Sequence, residues 1–217
     1  ISVLILGPVR FQDLAMFKFC APALVALGLA SAAQATVVDA TVSIAGGGGW
    51  VDYAGGGAVG DNSFDTDGVF YTMNEAQGAV LAAPVAVDGG AVAAGTAVDS
   101  HFLWFDPLNT QRISATITFS GKILGVIVSR AGLIATNDLL GLAGMTYLTP
   151  RLVGLEAGDG YSFLDNVLTI DWRSSTPGDH IRVITEASLA SVPVPATGGL
   201  LALALAGLAL QRRRRAA

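Results

Sequence analysis

A short acidic run is the segment of this chain whose residue types best suit metal chemistry. Asp61, Asp65 and Asp67 supply spaced carboxylates and Gly68 supplies a turn, which is the composition of a calcium-binding loop. Counted from Ser63, the register of a helix–loop–helix calcium motif fails, because its last ligand position holds Asn74 where glutamate is needed. The sequence therefore favours an ordinary acidic loop and no cofactor, with calcium at the three aspartates as the alternative.

The two histidines, His101 and His180, are the other side chains that suit catalysis or metal binding. On β alternation, His101 shares a face with Leu103 and Phe105, while Phe102 faces the other way. A catalytic or metal role needs convergent partners, so we favour a surface or hydrogen-bonded structural role for each histidine.

Signatures of catalysis are missing from the rest of the sequence. There is no Gly-x-Ser-x-Gly nucleophile elbow, the glycine run 46–49 lacks the lysine of a phosphate loop, and the acidic residues form no obvious pair. We predict a protein that is not an enzyme. The alternative is a carbohydrate-binding module or a carbohydrate-active enzyme that stacks sugar rings on aromatic side chains. The candidate aromatic residues are Trp50, Tyr53, Trp104, Tyr161 and Trp172.

The charge of the chain is concentrated in its central part. The whole chain has a formal charge of −5, but both terminal segments are net positive, so residues 36–190 carry −10. Such a balance repels nucleic acid and keeps a domain soluble. We therefore expect no nucleic-acid partner.

The N-terminal segment has the layout of a secretory leader. Residues 16–35 contain Lys18, a mostly apolar stretch, and a small-x-small site at Ala33 and Ala35. We predict cleavage after Ala35 and interpret residues 1–15 as an over-extended gene start. The single cysteine, Cys20, falls inside this leader, so the mature chain has no disulfide.

The C-terminal segment combines a stiff junction, an apolar run and a basic stop. The uncharged run 198–210 makes about 20 Å of helix at about 1.5 Å per residue, which is short for a bilayer core of about 30 Å. The basic residues that follow predict that the tail ends on the cytoplasmic side. The junction is Val192, Pro193, Val194 and Pro195, and the basic stop is Arg212, Arg213, Arg214 and Arg215.

This three-part tail (191–217) resembles the PEP-CTERM family of bacterial sorting signals. The closest form is the VPLPA variant, with Val194 where that variant has leucine. The resemblance implies recognition by an exosortase, passage through the secretion machinery, and delivery to the surface or exopolysaccharide matrix of a Gram-negative bacterium. Attachment to the inner membrane would then be transient. A plain C-terminal anchor is the alternative, although a short span behind paired prolines suits a processed tail better.

Between the two signals, residues 36–190 form one domain that is long enough to bury a core. Short strands separated by glycine-rich turns predict an all-β fold, an antiparallel β-sandwich of jelly-roll type. We expect strands at 36–44, 68–73, 79–87 and 97–105, with Pro84 at a sheet edge and a long loop at 45–67.

Two hairpins and a short helix complete the prediction. One hairpin pairs 113–119 with 122–129 across Ser120 and Gly121, and the other pairs 166–173 with 180–185. Asn137 is the expected cap of a short helix. Trp172 shares a face with two apolar residues, so we expect it to point inward.

Overall fold

The computed structural model of the chain describes residues 36–149 and 153–188. The predicted gene-start extension (1–15), leader (16–35) and tail (191–217) lie outside these residues. Within them the fold is mostly β, as predicted, with antiparallel sheets and one α-helix. The strands are β1 (Val37–Ile44), β2 (Gly49–Asp52), β3 (Gly57–Val59), β4 (Val69–Asn74), β5 (Ala79–Val80), β6 (Val85–Val87), β7 (Gly90–Val92), β8 (Ala97–Phe105), β9 (Gln111–Phe119), β10 (Ile123–Ile127), β11 (Met145–Tyr147), β12 (Gly160–Leu164), β13 (Val167–Ser174) and β14 (Asp179–Glu186), and the helix is α1 (Arg130–Leu140).

Two larger sheets organise these strands. The four-stranded sheet has the order β1-β9-β13-β12, and the six-stranded sheet has the order β10-β14-β8-β4-β2, with β5 also paired to β8. Most neighbours are antiparallel, but β2 runs parallel to β4, and β3 runs parallel to β11 in a separate small sheet. β6 and β7 form a hairpin of their own.

Both predicted hairpins are wrong, because their strands lie in different sheets. β9 pairs with β1 and β13, whereas β10 pairs with β14; likewise β13 pairs with β9 and β12, whereas β14 pairs with β8 and β10. The turn at Gly121 carries the chain from one sheet to the other and packs against the end of β14. A Cβ there would lie 2.5 Å from the Glu186 carbonyl oxygen. Alternation identifies the buried face of a strand but not its hydrogen-bonded neighbour.

Three other boundaries differ from the predictions. The expected loop 45–67 contains β2 and β3, where Gly48 lets the chain cross Gly68 so closely that a Cβ would lie 2.1 Å from its carbonyl oxygen. The expected strand 79–87 is interrupted around Pro84 and becomes β5 and β6. The helix begins about two turns earlier than expected, because Ser129 caps it by accepting a hydrogen bond from the Gly132 N–H at 3.1 Å.

Two hydrophobic clusters lie on opposite faces of the six-stranded sheet. The inter-sheet cluster contains Leu103 and Phe105 of β8 together with the inward residues of the four-stranded sheet, including Ile117 and Trp172. The helix-side cluster contains Phe102 and Trp104 of β8 together with Leu133 and Leu140 of α1. Because both faces of β8 and β14 are covered, nearly every residue of the two strands is buried, polar residues included.

The two sheets have common ends, since successive strands pass between them. At the proximal end, the Ser120 N–H donates to the Thr36 carbonyl at 3.0 Å, the Ile123 N–H to Asp165 at 2.8 Å, and the Glu186 N–H to the residue before Ile123 at 2.8 Å. The described chain therefore starts and finishes at this end. The distal end holds the links from β1 to β2, β8 to β9 and β13 to β14.

Within the described ranges, helical structure nowhere reaches the length and apolar character that crossing a bilayer demands.

Candidate functional site

The predicted calcium residues lie in a loop that folds over Asp106 at the distal end. The Asp106 carboxylate accepts backbone hydrogen bonds from Phe64 at 3.2 Å and Asp65 at 3.4 Å. The Asp106 carbonyl oxygen accepts another from Thr66 at 2.9 Å. Because these bonds come from backbone N–H groups, Asp106 shapes the loop without needing a cation.

The three predicted ligands have different neighbours. Asp67 accepts two hydrogen bonds from Asn109, at 2.9 Å from its backbone and 2.7 Å from its side chain, and these bonds lower the pKa of Asp67. Asp65 accepts one from the Thr176 hydroxyl at 3.4 Å, and Asp61 is exposed with a φ of 46°. Among the residues described, no group of three or more acidic, histidine or cysteine side chains is arranged to hold a metal ion.

Asp106 is fully buried, and one of its carboxylate oxygens has no protein partner. Burial raises its pKa, and the nearby charges of Asp65 and Asp61 raise it further, while the two backbone hydrogen bonds lower it. Gly178 completes this environment, since it has a φ of 84° and a Cβ at its position would lie 2.8 Å from the Asp106 Cα, which excludes any larger residue. The side chain of Asp106 therefore joins the acidic loop to the β13–β14 link.

Asp179 and His180 begin β14 beside this position. Asp179 is 3% exposed, and burial, together with the charge of Asp159, raises its pKa to about 7. His180 is fully buried, with Nδ1 3.1 Å from the Gly178 carbonyl oxygen, and burial lowers its pKa to about 4. At neutral pH the ring is uncharged, so Nδ1 is assigned as the donor to that carbonyl.

The other histidine is also a core residue. His101 is fully buried and lies on the face that alternation predicted, with its ring 4.8 Å from that of Phe119. Its Nδ1 lies 2.9 Å from the Asn74 side-chain oxygen and its Nε2 lies 3.2 Å from the Thr185 hydroxyl. Burial lowers the pKa of His101 to about 4. Both nitrogens are satisfied by neutral partners, which is the structural role expected from sequence.

The most concentrated group of polar side chains is a buried ion pair on the helix side of the six-stranded sheet. Arg182 and Glu75 are both fully enclosed at their side chains, and they form two hydrogen bonds of 2.6 and 2.7 Å. Glu75 also accepts hydrogen bonds from Ser100 at 2.7 Å and Tyr147 at 2.6 Å. Four donors on one carboxylate offset most of its desolvation.

Arg182 connects the same pair to α1. Its guanidinium donates to the Thr136 hydroxyl at 2.6 Å, the Leu133 carbonyl at 3.2 Å and the Asn137 side chain at 3.1 Å. Phe102 and Tyr147 add their rings at 5.5 and 5.4 Å from the guanidinium carbon. Every branch of this ion-pair cluster ends on protein, so the cluster fixes the helix on the sheet.

The candidate sugar-stacking aromatics do not converge on one surface. Trp104 and Trp172 are fully buried, as predicted for Trp172. Tyr53 packs edge-on against Trp104 with centroids 5.7 Å apart. The Trp50 indole donates to the Thr72 hydroxyl at 2.8 Å, and the Tyr161 hydroxyl donates to Asp88 at 2.7 Å.

Hydroxyl groups, by contrast, form an ordered array on the outer face of the four-stranded sheet. Thr41 pairs with Thr116, Thr116 with Thr169, and Thr169 with Ser162, so one row crosses all four strands. All four residues are exposed. A second row places Ser43 beside Ser114 and Asp171. Neighbouring strands lie about 4.8 Å apart, so the hydroxyls of a row are regularly spaced along this hydroxyl face.

Comparisons with protein-family models, curated proteins and solved structures gave no match to this chain.

Sequence reasoning missed the ion-pair cluster, although the sequence carried a signal for it. Arg182 lies between Ile181 and Val183 in the apolar centre of a strand, and a charge in such a place is normally paired. Its partner Glu75 is 107 positions away, and a single sequence has no signal for that distance.

Proposed function

We propose that this chain is an exported, non-enzymatic protein of a Gram-negative bacterium with a structural or adhesive role at the cell surface or in the exopolysaccharide matrix. Residues 16–35 act as the leader and residues 191–217 as a sorting tail for an exosortase. Attachment to the inner membrane lasts only until the tail is removed. Support for the tail comes from the order of its prolines, apolar run and arginines.

One observation carries the non-enzymatic part of the proposal. The groups best suited to acid–base chemistry, namely His101, His180, Glu75 and Asp179, are between 0% and 3% exposed. Both histidines and Glu75 bond to neighbouring protein groups, and substrate would have to open the core to reach any of the four. Enclosure of this kind suits a stable scaffold better than an active site, whose groups must meet a ligand in a cleft.

For the architecture we propose a β-sandwich of jelly-roll type over residues 36–190. The inter-sheet cluster, which draws inward side chains from both larger sheets, supports this arrangement. The links that pass from one sheet to the other at Gly121 and Gly178 support it as well.

The sorting proposal is tested by cell fractionation and mass spectrometry of the mature C-terminus, with and without the exosortase. We expect the tail to be lost, with a new C-terminus near Pro195, only when the exosortase is present. Retention of Arg212 to Arg215 under both conditions would establish a permanent anchor instead.

A sugar-binding module is the second candidate, and the hydroxyl face favours it. A regular row of neutral hydroxyls offers donors and acceptors to an extended, uncharged polysaccharide, while the aromatic side chains are dispersed. In a glycan-binding screen on residues 36–190, replacing Thr116 and Thr169 by alanine should lower affinity about tenfold, since each hydrogen bond contributes about 0.5–1.5 kcal/mol. Thr146→Ala, at an exposed strand position of β11, is the matched control. Unchanged binding by the double variant would remove the candidate.

Calcium binding by Asp61, Asp65 and Asp67 remains a prediction. We favour an ordinary acidic loop, so adding calcium should leave the melting temperature of the protein unchanged. A rise in melting temperature that Asp65→Asn abolishes and Asp52→Asn preserves would establish the calcium loop.

A further inference from the structure

The proximal end of the sheets is where the described chain both starts and finishes, and the finish is firmly held. The Ala187 N–H donates to the Ala97 carbonyl at 3.2 Å, and the Ser188 N–H donates to the Asp99 carboxylate at 3.0 Å. The direction in which the chain leaves the fold is therefore set by the start of β8. Everything C-terminal to Ser188 must begin from this end.

The same end collects exposed apolar side chains. Eight large hydrophobic residues are exposed in the described part of the chain, and four of them lie here. Leu164 is 77% exposed and Phe163 is 41% exposed, both at the end of β12. Val38 and Val80, at 60% and 64%, lie at the start of β1 and beside the start of β8. Large exposed side chains gathered at one end of a domain suggest a contact surface.

Acidic side chains lie at both ends of the fold. The distal end carries the acidic loop with Asp61, Asp65 and Asp67, and the proximal end carries Asp39, Asp165 and Glu186, all exposed. An anionic bilayer surface repels carboxylates at either end, and the repulsion fades within about one Debye length. The exposed apolar side chains, four of which lie at the proximal end, are therefore what favours that end at a lipid surface.

The sequence after Ser188 leads to an apolar segment over a short distance. Nine residues, 189–197, separate Ser188 from the apolar run 198–210. Fully extended, they reach about 30 Å at about 3.4 Å per residue, and Pro193 and Pro195 keep part of that length stiff. With the run in a bilayer, a link of this reach keeps the proximal end within about 30 Å of the lipid.

We propose that the proximal end, with Leu164 and Phe163 at its centre, is a membrane-contact face that lies on the outer leaflet of the bilayer holding the 198–210 run. This inference rests on the proposed role of the tail and adds an orientation to it. The face presents the junction at Val192 to Pro195 at the lipid surface, which is where a membrane enzyme must reach it. The acidic loop points away from the lipid.

The test uses the mature chain, residues 36–217, from which the apolar leader and Cys20 are absent, reconstituted through its tail into phosphatidylethanolamine–phosphatidylglycerol vesicles. An environment-sensitive fluorophore is attached to Leu164→Cys or, as the matched control, to Leu108→Cys. Leu108 is 60% exposed and lies in the β8–β9 link at the distal end. Flotation in a density gradient reports the tail, and fluorophore emission reports the contact face.

We expect the chain to float, the label at position 164 to shift to shorter wavelength and be quenched by a lipid-borne quencher, and the label at position 108 to do neither. Flotation with the same emission at both positions would overturn the contact face and leave the tail proposal intact. Failure to float would overturn the tail proposal and the contact face together. Unlabelled Leu164→Cys should match the parent chain in circular dichroism, since the side chain is exposed.

Discussion

The two faces of the six-stranded sheet are both buried but are held by different interactions. On the inter-sheet side, β8 contributes Leu103 and Phe105 to a cluster made almost entirely of apolar side chains. On the helix side, the neighbouring residue Phe102 packs against Arg182, whose charge is neutralised by Glu75. The two faces differ in what packs on them, because one is covered by a sheet and the other by the helix together with short strands and loops.

The difference shows how a sheet can hold an element that has little apolar surface of its own. Only Leu133, Thr136 and Leu140 of α1 are buried. A stripe this narrow leaves the rotation and height of the helix poorly defined. The hydrogen bonds from Arg182 to three groups of the helix supply the missing definition. On the other side, regular alternation is sufficient to position the four-stranded sheet.

Breaking the ion pair should give the largest loss of stability. Arg182→Met leaves the Glu75 carboxylate buried without its cation, at a cost of about 3–5 kcal/mol. Chemical denaturation measures the loss, and the Arg182→Met, Glu75→Leu double variant is the control. We expect the double variant to recover much of the loss, because an uncompensated charge causes it. A double variant no more stable than the single one would mean that the hydrogen bonds themselves dominate.

The matched change on the inter-sheet side removes volume without removing charge. Ile117 is fully buried in the middle of β9, and Ile117→Ala should cost about 2–5 kcal/mol through lost burial and the cavity left behind. This loss should not depend on the charge of any neighbouring residue. In contrast, the loss at Arg182 should depend on whether Glu75 is present. Thr116→Ala, on the exposed side of the same strand, should change stability by less than about 0.5 kcal/mol.

Acid should weaken both faces, because each buries one neutral histidine. The pKa values of His101 and His180 are lowered by burial from an ordinary 6.5 to about 4. The unfolded chain therefore binds more protons between these values, and stability is intact above pH 6.5 and falls as the pH drops towards 4. Each histidine should account for about 3 kcal/mol.

Variants of the two histidines and of Asp179 separate the contributions of these residues to the pH dependence of stability. His101→Gln and His180→Gln should each remove one of the two histidine contributions and so flatten the acid decline, as followed by denaturation at several pH values. Asp179 acts in the opposite sense, since its pKa is raised to about 7, and its contribution is present at low pH and is lost as the pH rises through 7. Asp179→Asn should therefore make stability fall more steeply as the pH drops. An unchanged dependence of stability on pH would contradict the raised pKa of Asp179.

The sequence was sufficient to predict the elements that depend on alternation. β8 has the predicted bounds, β1 begins one residue later than expected, and Trp172 points inward as expected. The alternation of polar and apolar residues in a strand, however, shows only which of its two faces is buried. It could not show that β9 and β10 lie in different sheets, because the choice of neighbour depends on contacts far along the chain.

The candidate site divides in the same way. For His101 the sequence left open a surface position or a hydrogen-bonded structural role, and the acidic loop was visible as a local run of aspartates. Asp106, which shapes that loop, is 39 positions beyond Asp67 and has no local signature. The predicted helix start was wrong because Asn137 lies inside α1, whose cap is Ser129 just beyond the end of β10.

The smallest expected effect tests whether Arg182 positions the helix or only neutralises Glu75. The Thr136 hydroxyl accepts from Arg182 at 2.6 Å and donates to the Gly132 carbonyl at 2.7 Å. Thr136→Val keeps the shape and removes both bonds, which should cost about 1–2 kcal/mol because the guanidinium group loses one partner in the core. Thr41→Val on the exposed face is the control. If amide hydrogen exchange in this variant is faster than in the parent chain in α1 but not in β9, Arg182 positions the helix. If exchange changes equally in α1 and β9, the role of Arg182 is charge neutralisation alone.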